Sequence, residues 1–392
     1  MNRKTLAAAI FAAVVAIGLG LATNAMALTP NCSAVTTVTE SCGWVITVPG
    51  CYKLQNSLTA STDAGDCIQI NSSNVYLDLN TQTITGTGAT STGTCVHVLA
   101  ATTPGGVAIT NVAIQGGQNI TGFNDGVVVG TTSNTLNVAP FPTKIRLDNI
   151  TLTNNNFIGV YLFNAKTSQV NGVNETGNGT TAGDGLIITG GSGNRVADST
   201  FTANGAGVGL SSDANVFTAV NASSNLAYGF DVEIASNNQI DSPSADFNAG
   251  AGIRLANRAN NNHVAGGHAN ANGPDVGFGV WIMQSTGNQI SGIELERNSS
   301  AGIYLGCNGP TTGTCTTGVT GIPMSNGNGI DASIIISGSP YGIAIDKGNK
   351  TNTIVGNTSS SNTTLDEYDG NACGVNNWFA DNFSTSNASC VH

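Results

Sequence analysis

A four-residue pattern of glycine, an apolar residue, any residue and another apolar residue keeps returning along this chain. It appears as Gly126-Val-Val-Val, Gly159-Val-Tyr-Leu, Gly185-Leu-Ile-Ile, Gly207-Val-Gly-Leu, Gly229-Phe-Asp-Val, Gly252-Ile-Arg-Leu, Gly279-Val-Trp-Ile, Gly302-Ile-Tyr-Leu and Gly342-Ile-Ala-Ile, at spacings of 33, 26, 22, 22, 23, 27, 23 and 40 residues. Upstream, Cys67-Ile-Gln-Ile and Cys95-Val-His-Val keep the register with cysteine in the glycine place. Periods in this range belong to architectures in which each unit buries its apolar face only by stacking on its neighbours. Two columns of asparagine lie inside the period, at Asn194, Asn215, Asn238, Asn262 and Asn288, and at Asn204, Asn225, Asn248, Asn272 and Asn298. They divide each unit into about three short strands. Asparagine suits such turns because it tolerates left-handed backbone angles. Stacked copies can also bond one another through their amides, as in amide ladders. The pattern predicts an all-β solenoid of about 11 coils.

These repeats resemble those of right-handed parallel β-helix proteins, a group that includes pectate-lyase-like, polygalacturonase-like and NosD-like copper-enzyme maturation proteins. The segment Asn74-Val-Tyr-Leu-Asp-Leu-Asn-Thr-Gln-Thr-Ile-Thr-Gly resembles the first-coil motif of secreted members. The tail containing Asp366, Asp369, Cys373, Asn376, Trp378, Asn382, Phe383 and Cys390 resembles their closing segment. The resemblance implies a right-handed parallel β-helix with a cap at each open sheet edge. It leaves activity open, since this scaffold carries lyases, hydrolases, epimerases and adhesins. The expected organisation is a signal peptide over 1–27, an N-terminal cap and first strands over 28–66, coils over 67–355 and a C-terminal cap over 356–392. Trp44, Pro49-Gly50 and Cys51 are expected to cover the N-terminal end.

The signal peptide is read from Arg3 and Lys4, the apolar run from Leu6 to Leu21 and the small-residue site Ala25-Met26-Ala27. The run is shorter than the roughly 20 residues of a spanning helix. Secretion, to the periplasm or the exterior, is therefore expected, without a membrane span in the mature chain. That chain keeps ten basic residues against 23 acidic ones. Nucleic acid is excluded as a partner, because phosphate neutralisation needs clustered Lys and Arg. Nine cysteines in an exported chain read as a disulfide set with one left over. Position in the repeat favours Cys67 with Cys95; Cys307 with Cys315 would close an insertion loop and Cys373 with Cys390 would staple the C-terminus, while Cys32, Cys42 and Cys51 compete for one bond.

Alternate side chains of a strand face opposite sides. With the apolar residues inside, the outward row over successive coils is Gln69, His97, Val128, Tyr161, Ile187, Gly209, Asp231, Arg254, Trp281 and Tyr304. Asp231, Arg254, Trp281 and Tyr304 would form a ladder roughly 15 Å long at about 4.8 Å per coil, joined by Glu233. Aromatic faces stack on sugar rings while charged groups orient hydroxyls, so Tyr161, Arg254, Trp281 and Tyr304 are candidate substrate contacts. Asp231 and Glu233 stand two residues apart, roughly 6.6 Å, which overlaps the spacing of an inverting glycosidase pair. They would equally suit a calcium ion, the one metal the sequence suggests. On another face, Asp246, His268, Glu294 and Glu296 form a second candidate cluster for acid-base or metal chemistry.

Tyr228-Gly229-Phe230-Asp231 resembles the start of the Tyr-Gly-Phe-Asp-Pro-His motif of alginate C5-epimerases, with Val232 and Glu233 in place of the Pro and His. Signatures of the polygalacturonase type, an adjacent Asp-Asp, Gly-His-Gly and Arg-Ile-Lys, are missing. Four Met and four His without clustering do not support a copper role. The reading that follows is an exported protein binding polysaccharide along its outer face, as a binder or as a hydrolase, lyase or epimerase. The alternatives are a non-catalytic surface or matrix protein, or a NosD-like accessory protein.

Overall fold

The computed structural model describes residues 34–38, 41–99, 107–130, 141–179, 183–274, 277–307, 324–332, 334–336, 338–389 and 391. The chain divides into Met1–Ala34 and Val35–His392. The signal segment 1–27 lies outside the described residues, as do Cys32, Cys315 and Cys390.

Within Val35–His392 the strands stack in parallel, coil upon coil, into three faces. One face is a 14-stranded sheet from Val35–Val38 to Asn377–Phe379. The second is a 13-stranded sheet from Trp44–Ile46 to Leu365–Asp369, and it carries every copy of the glycine pattern. The third begins as six strands, from Leu58–Thr59 to Thr200–Thr202, and ends as three, Ile334–Ile336, Thr358–Ser360 and Asn382–Phe383. Between these, it thins to single bridges that join Thr200, Asn221, Ser244, His268 and Glu294 in turn. The 13-stranded sheet holds two coils beyond the 11 counted from the pattern. They come from Trp44–Ile46, which pairs with Ile68–Ile70, and from Leu365–Asp369, which pairs with Tyr341–Ile345. Segments expected as caps thus contribute strands to the sheets.

Alternation drives the packing. Val208, Phe230, Ile253, Val280 and Ile303 occupy one register column and are wholly buried, part of an apolar core that runs from Val38 to Val391. The glycine that opens each pattern permits close approach of the third face: a Cβ at Gly279 would stand 2.5 Å from Leu295 Cδ2.

Both asparagine columns are buried hydrogen-bond ladders. In the first, each of Asn194, Asn215, Asn238, Asn262 and Asn288 donates its backbone N–H and its Nδ2 to Oδ1 of the next, at 2.8 to 3.2 Å. Asn328, Asn352 and Asn376 continue it. The second runs through Asn155, Asn178, Asn204, Asn225, Asn248, Asn272 and Asn298 to Ser339. One expectation changes. The ladder asparagines do not take the left-handed conformation; the residue before each of them except Asn376 does, as at Ala214 (φ 56), Asn237 (59), Asn261 (55), Ser224 (59) and Phe247 (56). The asparagine is selected for its amide, and its neighbour carries the turn.

The disulfide expectation also needs correction. Cys67 is bonded to Cys42, with their Cα atoms 4.0 Å apart, and Cys95 is a buried free thiol. The uncounted coil at Trp44–Ile46 brings Cys42 beside Cys67: Gly43 and Trp44 both donate N–H to the Cys67 carbonyl. Cys51, Cys307 and Cys373 are each disulfide-bonded. Burial raises the Cys95 thiol well above its ordinary range, which makes it a poor nucleophile.

Candidate functional site

The outward row of the 13-stranded sheet has the expected register. Gly209 pairs with Asp231, Asp231 with Arg254, Arg254 with Trp281 and Trp281 with Tyr304. Stacking at one residue per coil leaves Asp231 and Arg254 no separation beyond the coil spacing, so they meet. Arg254 donates from Nε and Nη2 to the two oxygens of Asp231, both at 2.8 Å, and from Nη2 to Glu233 Oε1. Asn257 Nδ2 donates to the same Glu233 oxygen at 3.1 Å. The guanidinium also lies over the Tyr228 ring, 4.4 Å from its centroid.

This arrangement differs from a free carboxylate pair. Both Asp231 oxygens are already engaged by the Arg254 guanidinium rather than open to the groove. Arg254 also fills the place between Asp231 and Glu233 where calcium was expected. Among the described residues, no group of three or more His, Cys, Asp or Glu stands so as to hold a metal ion.

The carboxylate with a different environment is Asp184, which the repeat pattern did not single out. Its Oδ1 accepts the Ala206 N–H at 3.2 Å, and a Cβ at Gly209 would stand 2.5 Å from its Oδ2. Gly209 is the one glycine in the outward row, and its missing side chain makes room for Asp184. Burial, together with the negative charge of Asp231, raises the Asp184 carboxyl to about 6 against the Ala206 hydrogen bond. A groove of about 230 Å³ opens here, lined by Asp184, Gly205, Ala206, Leu226, Ala227, Tyr228 and Asp231. The sequence signal for it was the Tyr228 and Asp231 pair together with glycine at 209.

Toward the C-terminal coils the row becomes aromatic and closes. Trp281 is half-buried, and its Nε1 donates to the Gly306 carbonyl at 2.9 Å. Tyr304 was expected to face a ligand and does not. It is wholly buried, stacked on Phe278 at 4.8 Å between centroids, and its hydroxyl donates to Asp346. A second apolar cluster of Ala251, Phe278, Ala301, Tyr304 and Ala344 forms on this outer surface, and Tyr304 serves its packing. Tyr161 is on the same face but three register steps from Asp231, roughly 14 Å, where it meets Phe163 edge-on.

Two large apolar residues are exposed in this region, one of them on the groove wall. Ile234, directly after Glu233, is 68% exposed with φ 51, a conformation rarely taken by a β-branched residue. Leu226, on the groove wall, is 57% exposed.

The second cluster gathers only in part. His268 Nδ1 stands 2.8 Å from Asp246 Oδ2, and His268 bridges to Glu294 on the following coil. Asp246 Oδ1 and Asn270 Oδ1 accept the backbone N–H of Asn270 and Glu296 respectively, so these side chains tie turns of adjacent coils. Elsewhere a hollow of about 350 Å³ surrounds Gly329 on the 14-stranded sheet, between Gln289, Asp331 and Thr353. Near the N-terminal coils, His97 lies between Asp66 Oδ2 (2.8 Å) and the Gly130 carbonyl (2.7 Å). No helix among the described residues is long and apolar enough to cross a membrane.

Comparison with known proteins bears on the scaffold. A family model described as a right-handed beta helix region matches residues 94–269. Among curated proteins, nothing matches the sequence. Among solved structures, the chain is similar to the surface adhesin PfbA of Streptococcus pneumoniae, at TM-score 0.54 and 9% identity over 81% of this chain and 83% of that one. It is similar to the catalytic domain of a GH87 α-1,3-glucanase in complex with nigerose, at 0.53 and 11% over 86% and 64%. It is also similar to the A-module of the Azotobacter vinelandii mannuronan C-5 epimerase AlgE4, at 0.52 and 14% over 87% and 91%. These identities carry the fold and no residue roles. The chain has the fold of a right-handed parallel β-helix.

Proposed function

We propose that this protein is exported and binds an extracellular polysaccharide in the outer groove at Asp184, Tyr228, Asp231 and Arg254, with Trp281 on the adjoining coil. The observation that carries this reading is the groove itself: an aromatic ring and a half-buried ion pair stand beside a carboxylate that has no cation paired with it among the described residues. Sugar sites combine apolar ring faces with a few fixed polar groups in this way. The solved structures named above include a glucanase, an epimerase and an adhesin, which agrees with a glycan-related role on this scaffold.

Binding is favoured over turnover by the state of Asp231, whose two oxygens are held by Arg254. If the groove is catalytic, Asp184 is the residue whose environment suits proton transfer, and Asp231 with Arg254 orients the sugar. The test is a panel of neutral, acidic and amino polysaccharides, scored for bound fraction and for new reducing ends or unsaturated products. Binding that Tyr228→Ala and Trp281→Ala each weaken about tenfold is the expected result. Binding unchanged in both variants would move the ligand elsewhere, and turnover abolished by Asp184→Asn would make the groove an active site.

A further inference from the structure

The charges in the groove favour one class of glycan. Asp184, Asp231 and Glu233 bring three carboxylates to this surface, and Arg254 answers two of them with its Nε and Nη2. Asp184 has no cation paired with it among the described residues; its Oδ1 is met by a backbone N–H, and its Oδ2 lies over Gly209 in the groove. The charged and titratable groups around it are Asp231 and Tyr228 two coils on, beyond the strand that carries Gly209, then Arg254 past them, and Glu175 in the core behind it. A uronic acid would bring a fourth carboxylate to a place whose guanidinium is already engaged, with like-charge repulsion and no new partner. A neutral sugar would leave Asp184 without a counter-ion. An ammonium group would give Asp184 a charge-assisted hydrogen bond and gain from the nearby Asp231 charge.

We propose that the groove selects amino-bearing, cationic hexose chains over uronic acid chains, with Asp184 as the carboxylate that receives the ammonium. This rests on the reading of the groove as a glycan site. The whole chain reinforces the sign of the selection, since acidic residues outnumber Lys and Arg by 23 to 12 and the resulting field attracts cationic polymers.

The experiment is direct binding of three hexasaccharides of equal length, built of glucosamine, glucose or a hexuronic acid, to the mature chain and to Asp184→Asn. It is run near pH 6 at low and at high salt. The expected result is that the glucosamine chain binds at least about tenfold tighter than the hexuronic chain, and that salt weakens it. Asp184→Asn, nearly isosteric, should lower its affinity about tenfold while moving the glucose chain less than about twofold. Equal or tighter binding of the hexuronic chain, or an Asp184→Asn variant that keeps the full wild-type preference for the glucosamine chain over the glucose chain, would overturn the selection while leaving a glycan site in place. Binding of none of the three would overturn the glycan reading together with it.

Discussion

The asparagine ladders and the outer row of the 13-stranded sheet are both built by stacking one residue per coil, yet they behave in opposite ways. In the ladders every coil supplies the same amide, so each link repeats the last and the column is buried. In the outer row every coil supplies a different side chain: glycine, aspartate, arginine, tryptophan and tyrosine in succession. Identity from coil to coil builds a scaffold, and difference from coil to coil builds a site. A place inside the scaffold where the repeat breaks should therefore carry a cost, and one such place is Glu175. It occupies the buried column between Leu152 and Phe201, and it takes the Asn204 Nδ2 bond that would otherwise extend the second ladder.

The contrast is broken most severely in mid-ladder. Asn248→Ala removes the oxygen that accepts two bonds from Asn225 and the amide that donates to Asn272. Leaving those buried groups unpaired should cost about 3 kcal/mol or more in urea unfolding. A loss under about 1 kcal/mol would show that the ladder is ornament to the apolar core.

Glu175 sharpens the contrast through pH. Burial raises its carboxyl well above the usual range, so the folded chain holds a proton that the unfolded chain releases. For such a group stability is intact at low pH and falls as pH rises above the unfolded value and towards the folded one. Glu175→Gln should be close to wild type in mild acid and more stable by about 1 to 3 kcal/mol at alkaline pH. Parallel pH profiles for the two proteins would contradict this account. Glu367, raised to about 8 by burial with Asp381 and Asp366 adding to it, should contribute a second loss of stability over the same direction of pH, which Glu367→Gln removes.

The smallest effect belongs to the turn after Glu233. Ile234 takes left-handed backbone in a turn column where Asn164, Gly190 and Asn257 stand on other coils. Ile234→Asn should raise stability by about 0.5 to 1 kcal/mol, read as a shift in thermal midpoint. If it also weakens glycan binding, the exposed isoleucine is part of the site.

The sequence made the scaffold legible because solenoid repeats are written in the chain: the glycine column, the apolar alternation and the asparagines each recur at fixed offsets. The register of Asp231, Arg254, Trp281 and Tyr304 followed from that periodicity alone. What it concealed depends on contacts outside the repeat. Tyr304 is covered by an apolar cluster whose members Phe278 and Ala344 lie on flanking coils, and no local rule marks that closure. Asp184 precedes its glycine pattern and leans across Gly209, a contact that side-chain direction decides and spacing does not. Cys42 found Cys67 because a coil without the glycine signature lies beneath it.

The central claim is a location, so the most direct measurement is a crystal structure of the chain with an oligosaccharide that it binds. Sugar density across Asp184, Tyr228 and Asp231, with a ring against Trp281, is the predicted result. Density in the hollow at Gly329, or along the Asp246 and His268 turns, with the groove empty, would contradict it.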